Sequence, residues 1–348
     1  MSLIVCSRLS SFLFFSLFFL SSFVGVGAEE WRGVWVKKDN LKVTADVQTL
    51  IQSAKDHHLN TLFVQVYAQG RFLDEDLIQV LTAKAKAEGL AVHAWFNILN
   101  VWNQYGFPKE DVTANTNHLY FTHPDWFLCD AKGRSLREYS FAQRRLLGAD
   151  GLFLDPHHPQ VQNEIVQQLD DFVSRYEVAG IHLDYFRYPG KYFMSCENAT
   201  PNLYPEISSP HEENITQLLN KIRQMRDEKH PKLFLSVAVV ADRHKALDLY
   251  AQNWGKWLKE DKLDFVALMS YSTDRYTVKQ QILKTQALAG EKSFYLVGLG
   301  AWRLSAHQLM DRIQMVRNLR NQDTPSQKGF VLFAYDHLKN KNLKAISK

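Results

Sequence analysis

The sequence predicts a single-domain α/β protein folded as a (β/α)8 barrel, a TIM barrel, on the basis of two observations. Eight short apolar runs rich in Val, Phe and Tyr recur along the chain, with amphipathic segments between them. Repeated βα units of this kind build parallel sheets. Runs such as "LFLSVAVV" and "DFVALMSY" are almost entirely apolar, which is typical of parallel strands buried on both faces. An open, doubly wound sheet is the alternative arrangement of the same elements.

The predicted strands and helices alternate in chain order. The strands are Arg32–Val36, Thr61–Tyr67, Leu90–Ile98, Gly180–Phe186, Leu233–Val240, Asp264–Tyr271, Ser293–Leu299 and Gly329–Tyr335. The helices, predicted from apolar residues three or four positions apart, are Asp46–His57, Asp74–Glu88, Val161–Tyr176, Asn214–Lys229, Ala246–Lys259, Thr277–Ala289 and Ala306–Asn318. This count fits one barrel, although the chain after Tyr335 is too short for a full closing helix.

Two long connections follow the third and fourth predicted strands. They are Leu99–His158 and Tyr188 to about Glu213, and neither shows a pattern of regular structure. Both leave the carboxyl ends of strands, which is the face where barrel enzymes hold their active sites. Loops of this length are usually functional.

The first 28 residues have the pattern of a secretory signal peptide. A single charge, Arg8, precedes an apolar run from Phe12 to Val26, and the small residue Ala28 ends the segment. We expect cleavage after Ala28, a mature domain over residues 29–348, and a secreted or periplasmic location. An uncleaved anchor is the alternative. Since no second apolar run of spanning length follows, we expect no stable membrane insertion after cleavage.

Charge and cysteine content limit the function further. Removing the signal takes away Arg8 and leaves 40 of the 41 Lys and Arg against 37 Asp and Glu, a net charge of +3. This balance does not indicate binding to nucleic acid, which needs clustered cations. Cys129 and Cys196 remain, and export makes a disulfide between them feasible. Their spacing is not that of a zinc site, and the sequence does not indicate the oligomeric state.

The fourth predicted strand ends in a polar and aromatic cluster, "GIHLDYFRYP". Strand alternation places His182, Asp184 and Phe186 on one face and Tyr185 on the other. Asp184 is therefore expected to enter the mouth of the barrel, and it is our candidate for a catalytic carboxyl group. The alternative is a structural ion pair between Asp184 and Arg187.

Several segments together resemble the family-10 glycosyl-hydrolase-like proteins over nearly all of the mature chain. They are "RGVWV", "VQVYAQG", "VHAWFNILNVW", "HPDW", "LDPHHPQVQ" and "GIHLDYFRYP". The resemblance implies a (β/α)8 fold and a glycan substrate. Some relatives resemble bacterial cell-envelope hydrolases that cut the glycan strands of peptidoglycan.

The resemblance and the pattern of polar and aromatic residues together select a substrate-binding set. It consists of Gln65, Tyr67, His93, Trp95, Asn97, His182, Arg187, Tyr188, Tyr271 and Trp302. Met269 and Tyr271 are similar to a Met-x-Tyr element of chitinase-like barrels. Those barrels carry a Glu where this chain has Phe186, so their substrate-assisted mechanism does not transfer.

Glycoside hydrolysis ordinarily needs a second carboxyl group. Asp242, directly after the fifth strand, is the first choice, and Asp274 and Asp336 also follow strands at the same face. A helix cap is the alternative role for Asp242.

Two other functions stay open at this stage. Without a second carboxylate, the barrel would bind polysaccharide but not cut it. His93, His157, His158 and His182 could instead hold a metal for a polysaccharide deacetylase, although no HxxEH or HxH spacing is present. We expect no metal and no cofactor. The sequons at Asn198 and Asn214 would accept a glycan only in a eukaryotic secretory route.

Overall fold

The computed structural model describes residues 30–104, 117–198, 210–288, 292–320, 326–338 and 341. Within these residues eight parallel strands close into a TIM barrel, because the first strand pairs with both the second and the last. The fold predicted from the sequence is confirmed. The predicted signal peptide, residues 1–28, lies outside the described residues.

All eight predicted strands are present, with bounds that differ by one or two residues. Numbered in chain order with the minor strands included, the barrel strands are β1 (Trp31–Val36), β2 (Thr61–Ala68), β4 (Ala91–Asn97), β7 (Gly180–Asp184), β8 (Phe234–Val240), β9 (Phe265–Ser270), β10 (Phe294–Gly300) and β11 (Gln327–Phe333). Three short strands lie outside this set: β3 (Arg71–Phe72), antiparallel to β2, and the antiparallel pair β5 (Asn100–Trp102) and β6 (Leu152–Phe153).

The helices cover the outside of the barrel and parts of its long loops. They are α1 (Thr44–Asp56), α2 (Glu75–Ala87), α3 (Leu119–Thr122), α4 (Phe141–Leu146), α5 (Pro159–Arg175), α6 (Pro210–Lys229), α7 (Arg243–Tyr250), α8 (Trp254–Lys259), α9 (Arg275–Gln286) and α10 (Ala306–Asn318). Within the described part of the chain, no helix combines the length and hydropathy needed to cross a membrane.

Two predictions about these elements are wrong. The helix expected over Ala246–Lys259 is split into α7 and α8, because Ala251 adopts a left-handed conformation (φ 55°). Buried Gln252 then donates to the carbonyls of Phe186 and Ala238. The connection Leu99–His158, expected to lack regular structure, contains β5, α3, α4 and β6. These elements are short, so periodicity could not reveal them.

Aromatic side chains close the floor of the barrel. Trp31, Phe234, Phe265 and Phe294 meet there, with ring centroids 4.8–6.3 Å apart. Inward-pointing residues of neighbouring strands fill a TIM barrel in layers, so its interior is a packed core and not a channel. We therefore expect a ligand to enter from the carboxyl ends of the strands, as in other TIM barrels.

A disulfide joins Cys129 to Cys196. The two cysteines lie in the two long connections, and the backbone of Cys129 also exchanges hydrogen bonds with Met194. The pairing that the sequence left open is therefore formed, and it ties the loop after β7 to the loop after β4 at the mouth of the barrel.

Candidate active site

Asp184 ends strand β7 and faces the inside of the barrel mouth. Its Oδ2 atom accepts a hydrogen bond from the indole Nε1 of Trp95 (3.1 Å), and its Oδ1 atom accepts one from the backbone N of Tyr185 (2.7 Å). The side chain keeps partial exposure to solvent. A carboxyl group so held has a defined orientation and remains within reach of a ligand.

The chain turns sharply immediately after Asp184. Tyr185 adopts a left-handed conformation (φ 51°), which a non-glycine residue rarely does. The strand alternation predicted through Phe186 is therefore wrong beyond Asp184. Phe186 is fully buried outside the barrel, where its ring lies 5.8 Å from that of Trp257.

Burial raises the pKa of Asp184 to about 6. The hydrogen bonds from Tyr185 and Trp95 and the charge of Arg187 oppose this rise, while the charge of Asp150 adds to it. Desolvation favours the neutral form of a carboxyl group. Asp184 therefore exchanges its proton close to neutral pH, as a general acid or base must.

Aromatic rings form one wall of the mouth. The ring of Tyr271 lies 4.9 Å from that of Trp302 and 5.4 Å from that of Phe333, and Trp302 is 39% exposed. Burial, followed by the nearby Asp184 and Tyr185, raises the pKa of Tyr271. The wall therefore stands close to the carboxyl group and presents the exposed side chain of Trp302 to solvent.

Gln65 and Asn97 form a polar pair beside Asp184. Asn97 is the register partner of Asp184 on β4, and its side-chain oxygen accepts from Gln65 Nε2 (3.2 Å). The backbone N of Lys38 donates to Gln65 Oε1 (3.3 Å). Both amide side chains are almost completely buried, so their role in binding a substrate stays a prediction.

The two predicted histidines lie beneath the mouth. Trp35 Nε1 donates to Nε2 of His182 (3.0 Å), which leaves Nδ1–H to donate to Ser236 Oγ (2.9 Å). His93 lies in the floor of the barrel, and neither of its ring nitrogens has a hydrogen-bond partner among the described residues. Burial lowers the pKa of His93 to about 3. Both rings are neutral and fully buried, so neither is exposed to a ligand at the mouth.

Arg187 forms an ion pair that the sequence did not reveal. Its Nη2 atom lies 3.0 Å from Oδ2 of Asp150, which precedes β6. Its guanidinium group also lies over the rings of Tyr185 (5.0 Å) and Tyr250 (4.7 Å). The ion pair expected as the alternative for Asp184 is thus formed by Asp150.

Two residues of the predicted binding set lie away from the mouth. Tyr67 is buried against Phe72 on the outer side of β2, with ring centroids 4.9 Å apart. Tyr188 is buried against α6, where its hydroxyl oxygen accepts from Nδ2 of Asn214 (3.1 Å). Both side chains pack between the barrel and its helices.

The three positions expected for a second carboxylate have other partners. Asp242 accepts from the backbone N atoms of His244 and Lys245 and begins α7, and Asp274 caps α9 in the same way. Asp336 pairs with Lys37 (2.7 Å). A catalytic role for Asp242 therefore stays a prediction, while its capping role is visible.

No group of three or more His, Cys, Asp or Glu side chains able to hold a metal occurs within the described residues. His157 Nδ1 lies 3.1 Å from Oδ1 of Asn214, and His158 Nε2 lies 3.8 Å from Oδ2 of Asp125. These contacts direct the two histidines towards different partners.

Sequence reasoning misses three residues at the mouth: Tyr185, Asp150 and Phe333. Alternation assigns Tyr185 to the opposite face, because it assumes that the strand continues. Asp150 precedes a two-residue strand too short to be recognised. Phe333 is predicted only as part of the eighth strand. No local pattern identifies their place at the mouth, because the turn at Tyr185 and the contacts of Asp150 and Phe333 form only in the folded chain.

The family profile described as glycosyl hydrolase-like 10 matches residues 73–299. This segment includes β7, Asp184, Arg187 and Tyr271, and it makes up well over half of the chain. The chain belongs to the glycosyl hydrolase-like 10 family. The resemblance carried by the sequence motifs is therefore confirmed, and the TIM barrel described above is this family member's fold.

Curated relatives of this family member are distant. The glycosyl hydrolase YngK of Bacillus subtilis is 22% identical over 58% of this chain and 40% of its own length. The glycosyl hydrolase DigH of Escherichia coli O6:H1 is 24% identical over 58% of this chain and 49% of its own length. The match thus spans less than half the length of either relative.

The fold also matches a solved structure closely enough to compare. The glycoside hydrolase domain of PgaB (BpsB) from Bordetella bronchiseptica has a TM-score of 0.61 and 14% identity, with 91% of this chain and 97% of that chain covered. At this identity the likeness concerns the barrel fold alone.

Proposed function

We propose that this glycosyl hydrolase-like barrel hydrolyses O-glycosidic bonds in a polysaccharide, with Asp184 as the proton-exchanging carboxyl group. The observation that carries the proposal is the state of Asp184: oriented by two donors, partly exposed, and with its pKa raised to about 6. A carboxylic acid tuned in this way can protonate the leaving oxygen of a glycosidic bond.

The aromatic wall supports a sugar substrate. A pyranose ring presents an apolar face of C–H groups, and flat side chains such as Tyr271 and exposed Trp302 can pack against it. The wall lies on the carboxyl face of the barrel, as the substrate sites of TIM-barrel enzymes do. Binding on Trp302 would therefore bring the glycan towards Asp184.

We further propose that the protein acts outside the cytoplasm and that peptidoglycan glycan strands are the first substrate to test. The predicted signal segment supports export, and the disulfide supports it independently, because disulfides persist mainly in oxidising compartments. The curated relatives named glycosyl hydrolases support a glycan substrate without identifying the sugar.

The decisive experiment compares wild type with Asp184→Asn and with Asp171→Asn. Asp171 is an exposed residue of α5 and serves as the matched carboxylate control. Each purified protein is incubated with a panel of polysaccharides that includes peptidoglycan glycan strands, and release of reducing ends is measured. We expect release by wild type and by Asp171→Asn, and loss of at least about a hundredfold for Asp184→Asn. Full activity of Asp184→Asn would remove this residue from the proposed role.

A second function, polysaccharide binding without hydrolysis, is favoured by one observation. Asp242 and Asp274 cap helices and Asp336 pairs with Lys37, so the hydrolytic proposal rests on Asp184 alone. Binding of the same glycans, measured by isothermal titration calorimetry, separates the two functions. Binding without release of reducing ends, unchanged in Asp184→Asn but lost in Trp302→Ala, would support the binding function.

A further inference from the structure

The loop that carries Asp150 is held tightly against the mouth of the barrel. Asp150 precedes β6, which pairs with β5 in the preceding part of the same connection. A Cβ atom at Gly151 would collide with the side chain of Asn100 and lie 2.6 Å from the carbonyl oxygen of Trp102. Because only glycine allows this close approach, the β5–β6 pair determines where Asp150 stands.

Arg187 is held from several sides at once. Its Nη1 atom donates to the carbonyl of Tyr188 (3.1 Å), and its Nη2 atom donates to Asp150 Oδ2 (3.0 Å). The rings of Tyr185, Tyr250 and Phe153 lie 4.7–5.7 Å from its guanidinium carbon. The planar group is thus fixed near the turn that follows Asp184.

The titratable groups that face Asp184 come from several segments. They are Tyr185 and Arg187 after β7, Tyr271 after β9, Asp150 before β6, and His182 two residues earlier on β7. Burial raises the pKa of both tyrosines and lowers the pKa of the imidazole, so these three groups are neutral near pH 6. Arg187 and Asp150 form the ion pair of this set.

We propose that Asp150 is a positioning residue for Asp184, acting through the ion pair by which it places the guanidinium charge of Arg187 beside the mouth. This inference rests on the proposed role of Asp184 and deepens it. Asp150 offsets part of the positive charge that Arg187 presents, because the two side chains are 3.0 Å apart. The pair therefore adjusts the pH range in which Asp184 holds its proton, in addition to the larger effect of burial.

Replacing either charged residue of the pair by a neutral one should shift the pKa of Asp184, in opposite directions for the two residues. Asp150→Asn keeps the shape of the side chain and leaves Arg187 with its full positive charge, so the pKa of Asp184 should fall by roughly half a unit to one unit. Arg187→Met keeps the apolar stem and removes the positive charge, so the pKa of Asp184 should rise. The double variant should lie between the two single variants.

The primary measurement does not depend on hydrolysis. The protein is labelled with ¹³C at the aspartate carboxyl carbon, the signals are titrated by NMR, and the Asp184 signal is assigned by its absence in Asp184→Asn. Asp171→Asn is the control and should leave that titration unchanged. Asp150→Glu restores the charge and should bring the pKa of Asp184 back towards its wild-type value.

The results separate this inference from the proposed function. If the proposed function holds, kcat/KM of Asp150→Asn at pH 7 should fall roughly three- to tenfold, mainly through kcat. An unchanged Asp184 titration in both Asp150→Asn and Arg187→Met would overturn the positioning role even if the enzyme is active. Opposite shifts without any glycan hydrolysis would retain the positioning role and overturn the hydrolytic one. Should Asp150→Asn fail to fold, the Arg187→Met titration decides alone.

Discussion

Replacement of Asp184 by Asn should change how the stability of the protein depends on pH. The pKa of Asp184 is about 6 in the folded chain and 3.8 without the protein environment. The folded state therefore binds more protons than the unfolded state between these values. The contribution of Asp184 to the free energy of unfolding is fully present below pH 3.8 and is lost as the pH rises through 6. The amide of the Asp184→Asn variant does not titrate, so the variant lacks this loss.

The size of the effect follows from the difference between the two pKa values. At about 1.4 kcal/mol for each pKa unit, the full effect is about 3 kcal/mol. About two thirds of this free-energy change occurs between pH 4.5 and pH 8. The partial exposure of Asp184 reduces the expected change further, to about 1–2 kcal/mol. A constant offset from the altered hydrogen bond to Trp95 does not affect this pH-dependent part.

The measurement is urea unfolding of wild type and Asp184→Asn at several pH values from about 4.5 to 8. We expect the unfolding free energy of the variant, minus that of wild type, to increase as the pH rises. The buried histidines His93 and His182 are common to both proteins, so their contributions cancel in the difference. The assignment of a raised pKa to Asp184 would be refuted if this difference in unfolding free energy did not change with pH, or if it increased as the pH falls.

Four further predictions use other contacts. If Asp184 acts as the general acid, kcat/KM should fall about tenfold per pH unit above its pKa of about 6; a pH-independent rate up to about pH 8 would contradict this role. His93→Leu removes an imidazole that has no hydrogen-bond partner among the described residues and whose pKa burial lowers to about 3. Denaturation should therefore show that the stability of the variant relative to wild type is about 2–3 kcal/mol higher at about pH 4.5 than at pH 8; no such difference would contradict the buried neutral state. Asp242→Asn retains an N-cap and should keep activity, whereas Asp242→Ala should lose about 1 kcal/mol of stability; an inactive but folded Asn variant would instead support a catalytic Asp242. The side chain of Asn214 is buried and bonded to Tyr188, so mass spectrometry of folded protein from a eukaryotic secretory host should show no glycan there, and a glycosylated folded form would contradict this packing.

Much of the site was predictable wherever a local rule applied. Asp184 enters the mouth because inward positions alternate along β7 and the carboxyl ends of parallel strands share one face of the barrel. Trp95 and Tyr271 were selected by the family resemblance and the pattern of aromatic residues. The rule failed at Tyr185, where a left-handed residue ends the alternation, and at Tyr188, which lies beyond that turn.

The barrel and its strands could be recognised from the order of residues, because buried parallel strands and amphipathic helices leave periodic patterns that can be detected without any knowledge of contacts. The family was indicated separately, by the resemblance of motifs such as "GIHLDYFRYP". Three features needed the folded chain: the ion pair of Arg187 with Asp150, the raised pKa of Asp184 and the disulfide between the two long loops. These features depend on distances between residues far apart in the chain and on how completely packing excludes water, and neither quantity is written in the local order of residues.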